Sequence, residues 1–315
     1  MNEAGGRFPR SKRASARRHG LAALAAAALV LAGGARAAGP AIALTFDDLP
    51  AHGPLPAGET RAGIAEAIAR AARAAGSPPL YGFVNGVQTE REPGSAAALA
   101  AWRAAGDPLG NHGWSHLGLS KIDPATFERE LTRNAPLLAD QRARWFRFPF
   151  LDEGADPARR DAARAILARH GYRIAAVTMS FGDYGWNEPY ARCLARGDQA
   201  AIAGLERSFL AAARSALAQS RAAAQARYGR DIPYVLLMHA GAFDARMLPR
   251  LLDQYRRAGV RFTTLAAAER DPAYASDRDP RRPFDADALQ HHLPSPEIAP
   301  EDAEYAGAGL ASLCQ

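Results

Sequence analysis

From Ala41 onward, short apolar runs alternate with longer stretches rich in alanine, arginine and leucine. This alternation restricts the fold more than any other feature of the chain. The apolar runs have the length of strands, and the stretches between them have the length and residue types of helices. Repeated strand–helix units predict a parallel sheet, either open or closed into a barrel. The candidate strands are 42–46, 80–84, 108–111, 145–148, 173–178, 234–238 and 260–263.

The residues at the ends of the intervening stretches support helices there. Asp123 precedes Pro124, which suits an N-cap followed by proline at the first helical position. Gly171 and Gly259 each stand where a helix would end before the next strand. The candidate helices are 61–74, 96–105, 124–138, 157–170, 199–228 and 245–258.

The chain of 315 residues is long enough for one large core. No linker divides the strand–helix units, so we expect a single domain over residues 38–270. After about Asp271 the sequence becomes rich in Asp, Pro, Arg and Glu with little periodicity. Residues 271–315 are therefore predicted to form a tail that wraps the surface, with 307–313 apolar enough to dock on the body.

The first 37 residues account for the whole positive charge of the chain. They hold seven basic side chains against the single acid Glu3, and the formal net charge of the protein is +6. The remainder is formally neutral. A polyanionic partner such as nucleic acid is therefore not expected.

The same segment has the layout of a secretory signal. A basic stretch up to Arg18 precedes an apolar run over 21–32, and Ala35 and Ala37 supply small residues for cleavage. Because a membrane span needs about 20 apolar residues, this run is too short for a stable one. We expect residues 1–37 to be a signal peptide and the protein to be exported, to the periplasm or the medium. An uncleaved anchor or a disordered tail are the alternatives.

The chain has two cysteines, Cys193 and Cys314. In an oxidising compartment they have the opportunity to form a disulfide between an internal loop and the end of the tail. Two unpaired thiols are the alternative, and the sequence does not decide between them.

Two clusters of chemically active residues follow candidate strands. Asp47 and Asp48 end the first strand, where charges belong if both faces of the strand are buried. For two adjacent carboxylates to reach one site, the chain must bend there. His112 and His116 follow the third strand, and this spacing brings two imidazoles within reach of one ion. Two histidines with one carboxylate leave open positions on a catalytic zinc ion.

Three more candidates lie after later strands. Arg147 ends the fourth strand, and a partly buried arginine there needs a carboxylate partner. Asp183 and Trp186 lie in a glycine-rich loop, and His239 ends the very apolar run 234–238, where a titratable group suits acid–base chemistry. Each has an ordinary structural explanation by itself. Because the carboxyl ends of the strands of an α/β barrel converge on one face, however, their joint placement predicts a single site.

The order of these segments resembles the polysaccharide deacetylase family, carbohydrate esterase family 4. That family has Thr-Phe-Asp-Asp, His-x-x-x-His, Arg-x-Pro-aromatic, an Asp/Trp loop and Leu-x-His in this order. The resemblance covers about residues 40–270 and implies a distorted (β/α) barrel of about seven parallel strands with one catalytic domain. The matching segments here are 45–48, 112–116, 147–150, 183–186 and 237–239.

The resemblance also implies roles for individual residues. Asp48, His112 and His116 would hold a divalent metal ion, most simply Zn²⁺. Asp47 would be the general base and His239 the general acid, with Arg147 orienting the base and Asp183 the acid. The substrate would meet Trp186 and Leu237 around its acetyl group and the backbone N–H of Phe150 at the developing oxyanion.

The sequence departs from the family pattern at three places. Leu49 follows the aspartate pair where glycine is usual, Gly113 replaces a serine or threonine, and two residues separate Trp186 from Asp183. None of these is a ligand or a proton carrier. The expected substrate is a glycan with N-acetylglucosamine. An O-acetyl esterase acting on a polysaccharide and a catalytically silent glycan-binding barrel are the alternatives, and Asp/His/His sites accept several metals.

Overall fold

Seven parallel strands form one curled sheet in the computed structural model, which describes residues 39–297 and 299–315. The predicted signal peptide, residues 1–37, lies outside the described residues. The sheet runs β5-β4-β3-β2-β1-β6, and β7 pairs with β1. The strands are β1 (Ala41–Leu49), β2 (Tyr81–Val84), β3 (Leu109–Asn111), β4 (Trp145–Phe146), β5 (Arg173–Ile174), β6 (Tyr234–His239) and β7 (Arg261–Thr263).

The sheet curls until its two ends nearly meet. Beyond β5 the chain stays extended, and Met179 pairs with Leu236 of β6 in a parallel bridge. The N–H of Leu237 donates to the carbonyl of Met179 at 3.0 Å. On β1, residues 41–43 pair with β7, whereas Thr45 and the residues after it pair with β2. The predicted distorted barrel of about seven parallel strands is therefore confirmed.

Ten α-helices cover the sheet within the described residues, and side-chain caps begin several of them. The side chains of Thr60 and Asp123 accept hydrogen bonds from the N–H groups of Gly63 and Thr126 at 3.0 and 2.6 Å. The helices are α1 (Arg61–Ala74), α2 (Gln88–Arg91), α3 (Ser95–Ala104), α4 (Pro124–Asn134), α5 (Pro157–Arg169), α6 (Asn187–Ala195), α7 (Gln199–Tyr228), α8 (Ala242–Arg257), α9 (Leu265–Ala268) and α10 (Ala275–Arg278).

Two predicted boundaries differ from the structure by four residues, and the others by three residues or fewer. The helix predicted over 124–138 ends at Asn134, and a 3₁₀ turn, Ala135–Leu138, follows. Proline at 136 explains the change, because it has no N–H to continue the α-helical hydrogen bonds. The strand predicted over 173–178 is assigned only to Arg173–Ile174, since the residues after it turn towards β6.

The helices bury apolar residues on successive turns, as α1 shows. On α1, Ile64 and Ile68 are at most 1% exposed, and each such burial stabilises the fold by roughly 1.5–3 kcal/mol. The segment after residue 270 packs on the same body: Leu289, Ala306, Leu310 and Leu313 join the main core. None of the helices in the described part of the chain is both long and apolar enough to cross a membrane.

Candidate active site at the carboxyl ends of the strands

The end of β1 brings two adjacent carboxylates to one site. Pairing between β1 and β2 shifts register between Phe46 and Leu49, and Asp48 adopts a φ of 59°. This conformation belongs to the left-handed region, which non-glycine residues rarely occupy. It supplies the bend that two neighbouring strand residues need to face the same side. The side chains of Asp47 and Asp48 both line the cavity described below.

His112 lies directly after β3 and has a fixed ring orientation. Its Nδ1 lies 2.8 Å from the carbonyl oxygen of Arg147, an acceptor, so Nδ1 carries the proton and donates. The lone pair of Nε2 therefore points away from this bond, towards Asp48. The side chain of Asn85 also supports this turn, since its Nδ2 donates to the carbonyl of His112 at 2.7 Å.

The loop from Gly113 to His116 is held without the hydroxyl that the family usually has at 113. Gly113 has a φ of 72°, which glycine adopts without strain, and its N–H donates to Oδ1 of Asn111 at 2.9 Å. Glu130 of α4 accepts hydrogen bonds from the N–H and the hydroxyl of Ser115 at 2.5 and 3.2 Å. A different set of contacts therefore fixes the loop that carries His116.

Asp48, His112 and His116 converge in a way that suits a cation. Oδ1 of Asp48 lies 3.5 Å from Nε2 of His112 and 3.2 Å from Nε2 of His116. Among the described residues no donor reaches this buried Oδ1. Burial lowers the pKa of His116 to about 4, although Asp48 opposes the shift, so this ring is neutral near pH 7. One carboxylate oxygen beside two imidazole nitrogens is the donor set of a divalent metal site, and these three residues could hold an ion.

His52 lies on the other oxygen of the same aspartate. Its Nδ1 is 2.8 Å from Oδ2 of Asp48. Burial by itself raises the pKa of Asp48, but this hydrogen bond and the nearby histidines lower it well below its usual range. In the sequence, His52 and Asn85 follow strand ends, where contact with a substrate is one interpretation and an ordinary surface position is the simpler one. The structure places His52 in the site cavity and buries Asn85 beneath His112.

Arg147 is buried and binds Asp47. Its Nη1 lies 3.1 and 3.2 Å from the two oxygens of Asp47, while Nη2 donates to the Thr45 hydroxyl at 3.1 Å. Nε donates to the carbonyl of Ala175 at 2.7 Å, and the guanidinium lies over the Phe83 ring. The carboxylate partner that the sequence required for this arginine is therefore Asp47.

His239 and Asp183 form a second pair across the cavity. Asp183 accepts hydrogen bonds from the backbone N–H of His239 at 2.6 Å and from its Nδ1 at 3.1 Å. Burial by itself lowers the pKa of His239, but the charge and hydrogen bond of Asp183 outweigh it and raise the pKa to about 9. The ring is therefore protonated at neutral pH and turns Nε2 away from Asp183.

These groups surround one cavity of about 330 Å³, which we call the site cavity. Phe150 and Tyr184 are the exposed aromatic residues on it, at 71% and 53% exposure, and the Phe150 ring centre lies 4.3 Å from that of His116. The residues lining it are Asp47, Asp48, His52, His112, His116, Phe150, Leu151, Ser180, Tyr184, Leu237 and His239.

The position of Trp186 differs from the sequence expectation. Its ring is 3% exposed, packs on Phe181 and Phe209, and donates from Nε1 to the Ser208 hydroxyl at 2.9 Å. The 3₁₀ turn Asp183–Trp186 points Tyr184 at the site cavity and Trp186 at α7. Tyr184, and not Trp186, is therefore the aromatic residue of this turn that lines the site cavity.

The two cysteines form a disulfide, Cys193–Cys314. Arg192, next to the bridge, donates to the carbonyl oxygens of Leu310 and Leu313 at 2.8 and 3.0 Å. Of the two arrangements that the sequence allowed, the structure has the paired one. The bridge joins the end of the chain to α6, which directly follows the Asp183 turn.

Comparison with known proteins finds a family match for residues 34–175. Residues 34–175 match the model of the family described as polysaccharide deacetylase. These residues include the segments of Asp47, Asp48, His112, His116 and Arg147, whereas Asp183 and His239 lie beyond the matched range. No protein with a curated description matches the chain.

Solved structures are similar at low sequence identity. A deacetylase designated T48, solved with substrate, is 17% identical, with a TM-score of 0.49, and the alignment covers 73% of this chain and 91% of that one. A family 4 carbohydrate esterase from Streptomyces lividans is 19% identical, with a TM-score of 0.47 and coverage of 74% and 97%. Peptidoglycan deacetylase from Bacillus subtilis is 16% identical, with a TM-score of 0.47 and coverage of 73% and 90%.

The family match covers the first three of the five segments that carried the resemblance, 45–48, 112–116 and 147–150, and the structure brings these three together at one end of the barrel. Over residues 34–175, the chain is therefore similar to the polysaccharide deacetylase family, whose members are hydrolases that act on acetylated polysaccharides.

Proposed function

We propose that this protein is an exported, metal-dependent hydrolase that removes N-acetyl groups from a glycan containing N-acetylglucosamine. One observation carries the proposal. A cation-fitting set, Asp48, His112 and His116, shares its cavity with a buried carboxylate, Asp47, and with a protonated histidine, His239. Hydrolysis of an amide needs these three functions together: an activated water, a base and an acid.

The metal ion is the part of the chemistry that the protein does not supply itself. Asp48, His112 and His116 would hold the ion, which would lower the pKa of a water molecule and polarise the substrate carbonyl. Two imidazoles and one carboxylate match the ligands of catalytic zinc, so Zn²⁺ is the proposed ion.

The proton carriers lie on either side of the cation-fitting set. Oδ2 of Asp47 is 3.6 Å from Nε2 of His112, a distance that supports Asp47 as the proposed base next to the proposed ligands. Arg147 binds both oxygens of Asp47 and keeps the carboxylate facing the cavity. Asp47 accepts the proton of the attacking water, and His239, charged and oriented by Asp183, donates a proton to the leaving sugar amine.

The substrate side of the cavity combines apolar and polar surfaces. Leu237 is proposed to contact the acetyl methyl group, and the backbone N–H of Phe150 to donate to the oxyanion. Phe150 has a φ of 59°, which turns its peptide group relative to the strand before it. The exposed rings of Phe150 and Tyr184 give apolar faces on which a sugar ring stacks, and the cavity volume suits one sugar residue with its acetyl group.

Export rests on two observations. Residues 1–37 have the layout of a secretory signal. The disulfide between Cys193 and Cys314 suits an oxidising compartment such as the periplasm or the medium.

The test measures acetate released by purified residues 38–315 from N-acetylglucosamine oligomers and from acetylated xylan. Each substrate is incubated with Zn²⁺, with a chelator, and with the Asp47→Asn variant. Asp161→Asn, a change of the same kind at an exposed position of α5, is the matched control. Zinc-dependent acetate from the oligomers that is lost in Asp47→Asn and kept in the control supports the proposal.

Other outcomes identify the alternatives. Acetate from xylan alone would make the protein an O-acetyl esterase using the same residues. If protein that holds one metal ion releases acetate from neither substrate, catalysis on these glycans is refuted and a glycan-binding barrel remains.

A further inference from the structure

A second carboxyl group lies directly behind the Asp183–His239 pair. Asp244, in the first turn of α8, is fully buried, as is Asp183, and the two carboxyl groups are in hydrogen-bonding contact. Neither lines the site cavity. Asp244 therefore meets the site only through Asp183.

Two buried carboxyl groups in contact cannot both be ionised without a strong repulsion that no water screens. One of them keeps a proton. Asp183 accepts two N–H donors, the backbone and the Nδ1 of His239, and such donors favour the charged form. Asp244 accepts one, from Nδ2 of Asn187 at 2.7 Å, and no donor among the described residues reaches its Oδ1. The proton therefore belongs on Asp244.

The surroundings agree with a neutral Asp244. Burial, and then the charge of Asp183, raise the pKa of Asp244 well above its ordinary value. The Asn187 amide is held in one orientation, since its Oδ1 accepts the N–H of Phe243 at 2.9 Å and its Nδ2 faces Asp244. Glycine at 241 makes room for this amide, because a Cβ there would lie 2.2 Å from Oδ1 of Asn187.

We propose that Asp244 is a positioning residue that stays protonated and donates a hydrogen bond to Asp183, fixing the carboxylate that orients His239. Asp244 releases no proton during turnover. It holds the far side of Asp183, so that the near side meets the two N–H groups of His239. The proposal rests on the proposed function in one respect, namely that His239 donates a proton to the leaving group.

Two substitutions separate this role from a merely structural one. Asp244→Asn keeps the shape and offers an N–H to Asp183 in place of the O–H, whereas Asp244→Ala removes the donor. We expect Asp244→Asn to keep kcat within a few-fold of the wild-type protein. We expect Asp244→Ala to lower kcat by about 10- to 100-fold, which is the usual effect of removing a group that orients a site residue.

Two spectroscopic measurements on the full protein do not depend on deacetylase activity. The first is the infrared difference spectrum between wild type and Asp244→Asn at neutral pH. We expect the carbonyl band of one protonated carboxylic acid to be lost, with a shift in D₂O. The spectrum of the variant must be subtracted because burial also raises the pKa of Glu269 and Glu153, so the band of Asp244 has to be distinguished from theirs. The second is the resonance of the His239 Nδ1 proton, assigned by its absence in His239→Gln.

Each outcome decides the proposal. Loss of an acid band, with the His239 resonance kept in Asp244→Asn and shifted in Asp244→Ala, supports it. Loss of an ionised carboxylate band overturns it, and so does an unshifted resonance in folded Asp244→Ala. If Asp244→Ala does not fold, the infrared comparison with Asp244→Asn still decides the protonation. If wild-type protein releases no acetate, the proposed function fails. The two spectra still decide whether Asp244 is protonated and bonded to Asp183, because neither depends on activity.

Discussion

The pair formed by Asp47 and Arg147 yields a prediction that stability measurements check without any substrate. The two side chains are only 4% and 1% exposed, and Nη1 of Arg147 lies 3.1 Å from Oδ1 of Asp47. Removing one partner of such a pair leaves the other charge buried without compensation, which typically costs about 3–5 kcal/mol. Asp47→Asn and Arg147→Met should therefore each lower the free energy of unfolding by about this amount.

The double variant distinguishes this cause from ordinary loss of packing. In Asp47→Asn/Arg147→Met no unpaired charge remains, so its cost should fall below the sum of the single costs by about 3 kcal/mol. Arg147→Met also removes hydrogen bonds to Thr45 and Ala175, but these losses occur equally in the single and the double variant and cancel in the cycle.

An exposed pair gives the matched control. Arg221 binds Asp231 with both Nε and Nη2, the shortest contact being 2.8 Å, and the two side chains are 47% and 38% exposed. The same pair of substitutions there should show a coupling of less than about 1 kcal/mol. The comparison holds the chemistry constant and changes the burial.

The assay is urea unfolding of all variants after treatment with a chelator, because a bound ion would add its own binding energy to the folded state. Circular dichroism and tryptophan fluorescence should give coincident transitions if unfolding is two-state. If the costs of Asp47→Asn and Arg147→Met add to within about 0.5 kcal/mol, the two charges are not coupled. The assignment of Arg147 as the group that holds Asp47 would then be refuted.

Two further predictions concern the stability of the whole fold. The bridge between Cys193 and Cys314 closes a loop with a sequence separation of 121. The double substitution Cys193→Ser/Cys314→Ser should therefore lower the free energy of unfolding by about 2–4 kcal/mol. Reduced wild-type protein that is as stable as the oxidised protein would contradict this prediction. The pKa of His239 is raised to about 9 from an ordinary value of 6.5. The stabilisation of the folded state that results from this shift is complete below pH 6.5 and is lost as the pH rises through 9. Over this pH range the free energy of unfolding of chelator-treated wild type should fall by up to about 3 kcal/mol more than that of His239→Gln. If the two proteins lose stability in parallel with pH, the shift is refuted.

The strands and the convergence of the site were predictable because both follow from local pattern. Parallel strands buried on both faces read as apolar runs, so polar residues that follow such runs mark the edge where a site forms. Asp47, His112, Arg147 and His239 all satisfied this condition, and the structure places all four at one end of the barrel. Only the ends of the elements shifted, as at Asn134, where a proline two residues later was the overlooked signal.

The residues that escaped prediction are those whose role depends on a partner distant in sequence or on the direction of a turn. His52 lies in a loop without periodicity, and only the bend at Asp48 brings it to Oδ2 of that residue. Asp244 reads as an ordinary acid in the first turn of a helix, where it would favour the helix dipole. Its contact with Asp183 crosses 61 residues of sequence. Trp186 was expected at the cavity, but the direction of a 3₁₀ turn puts Tyr184 there.

Backbone strain shows how much of the site is built before any ligand binds. Among the described residues, five non-glycine residues have positive φ, and four of them, Asp48, His116, Phe150 and Leu151, line the site cavity. Each such conformation costs about 1–3 kcal/mol and persists only where surrounding contacts enforce it. The carbonyl of Asp48 accepts a hydrogen bond from Gln88 at 3.3 Å and its side chain accepts one from His52, while Glu130 holds the turn before His116. Because the fold itself supplies these contacts, the carboxylate and imidazole groups already stand in place for a cation, and binding need not reorganise them.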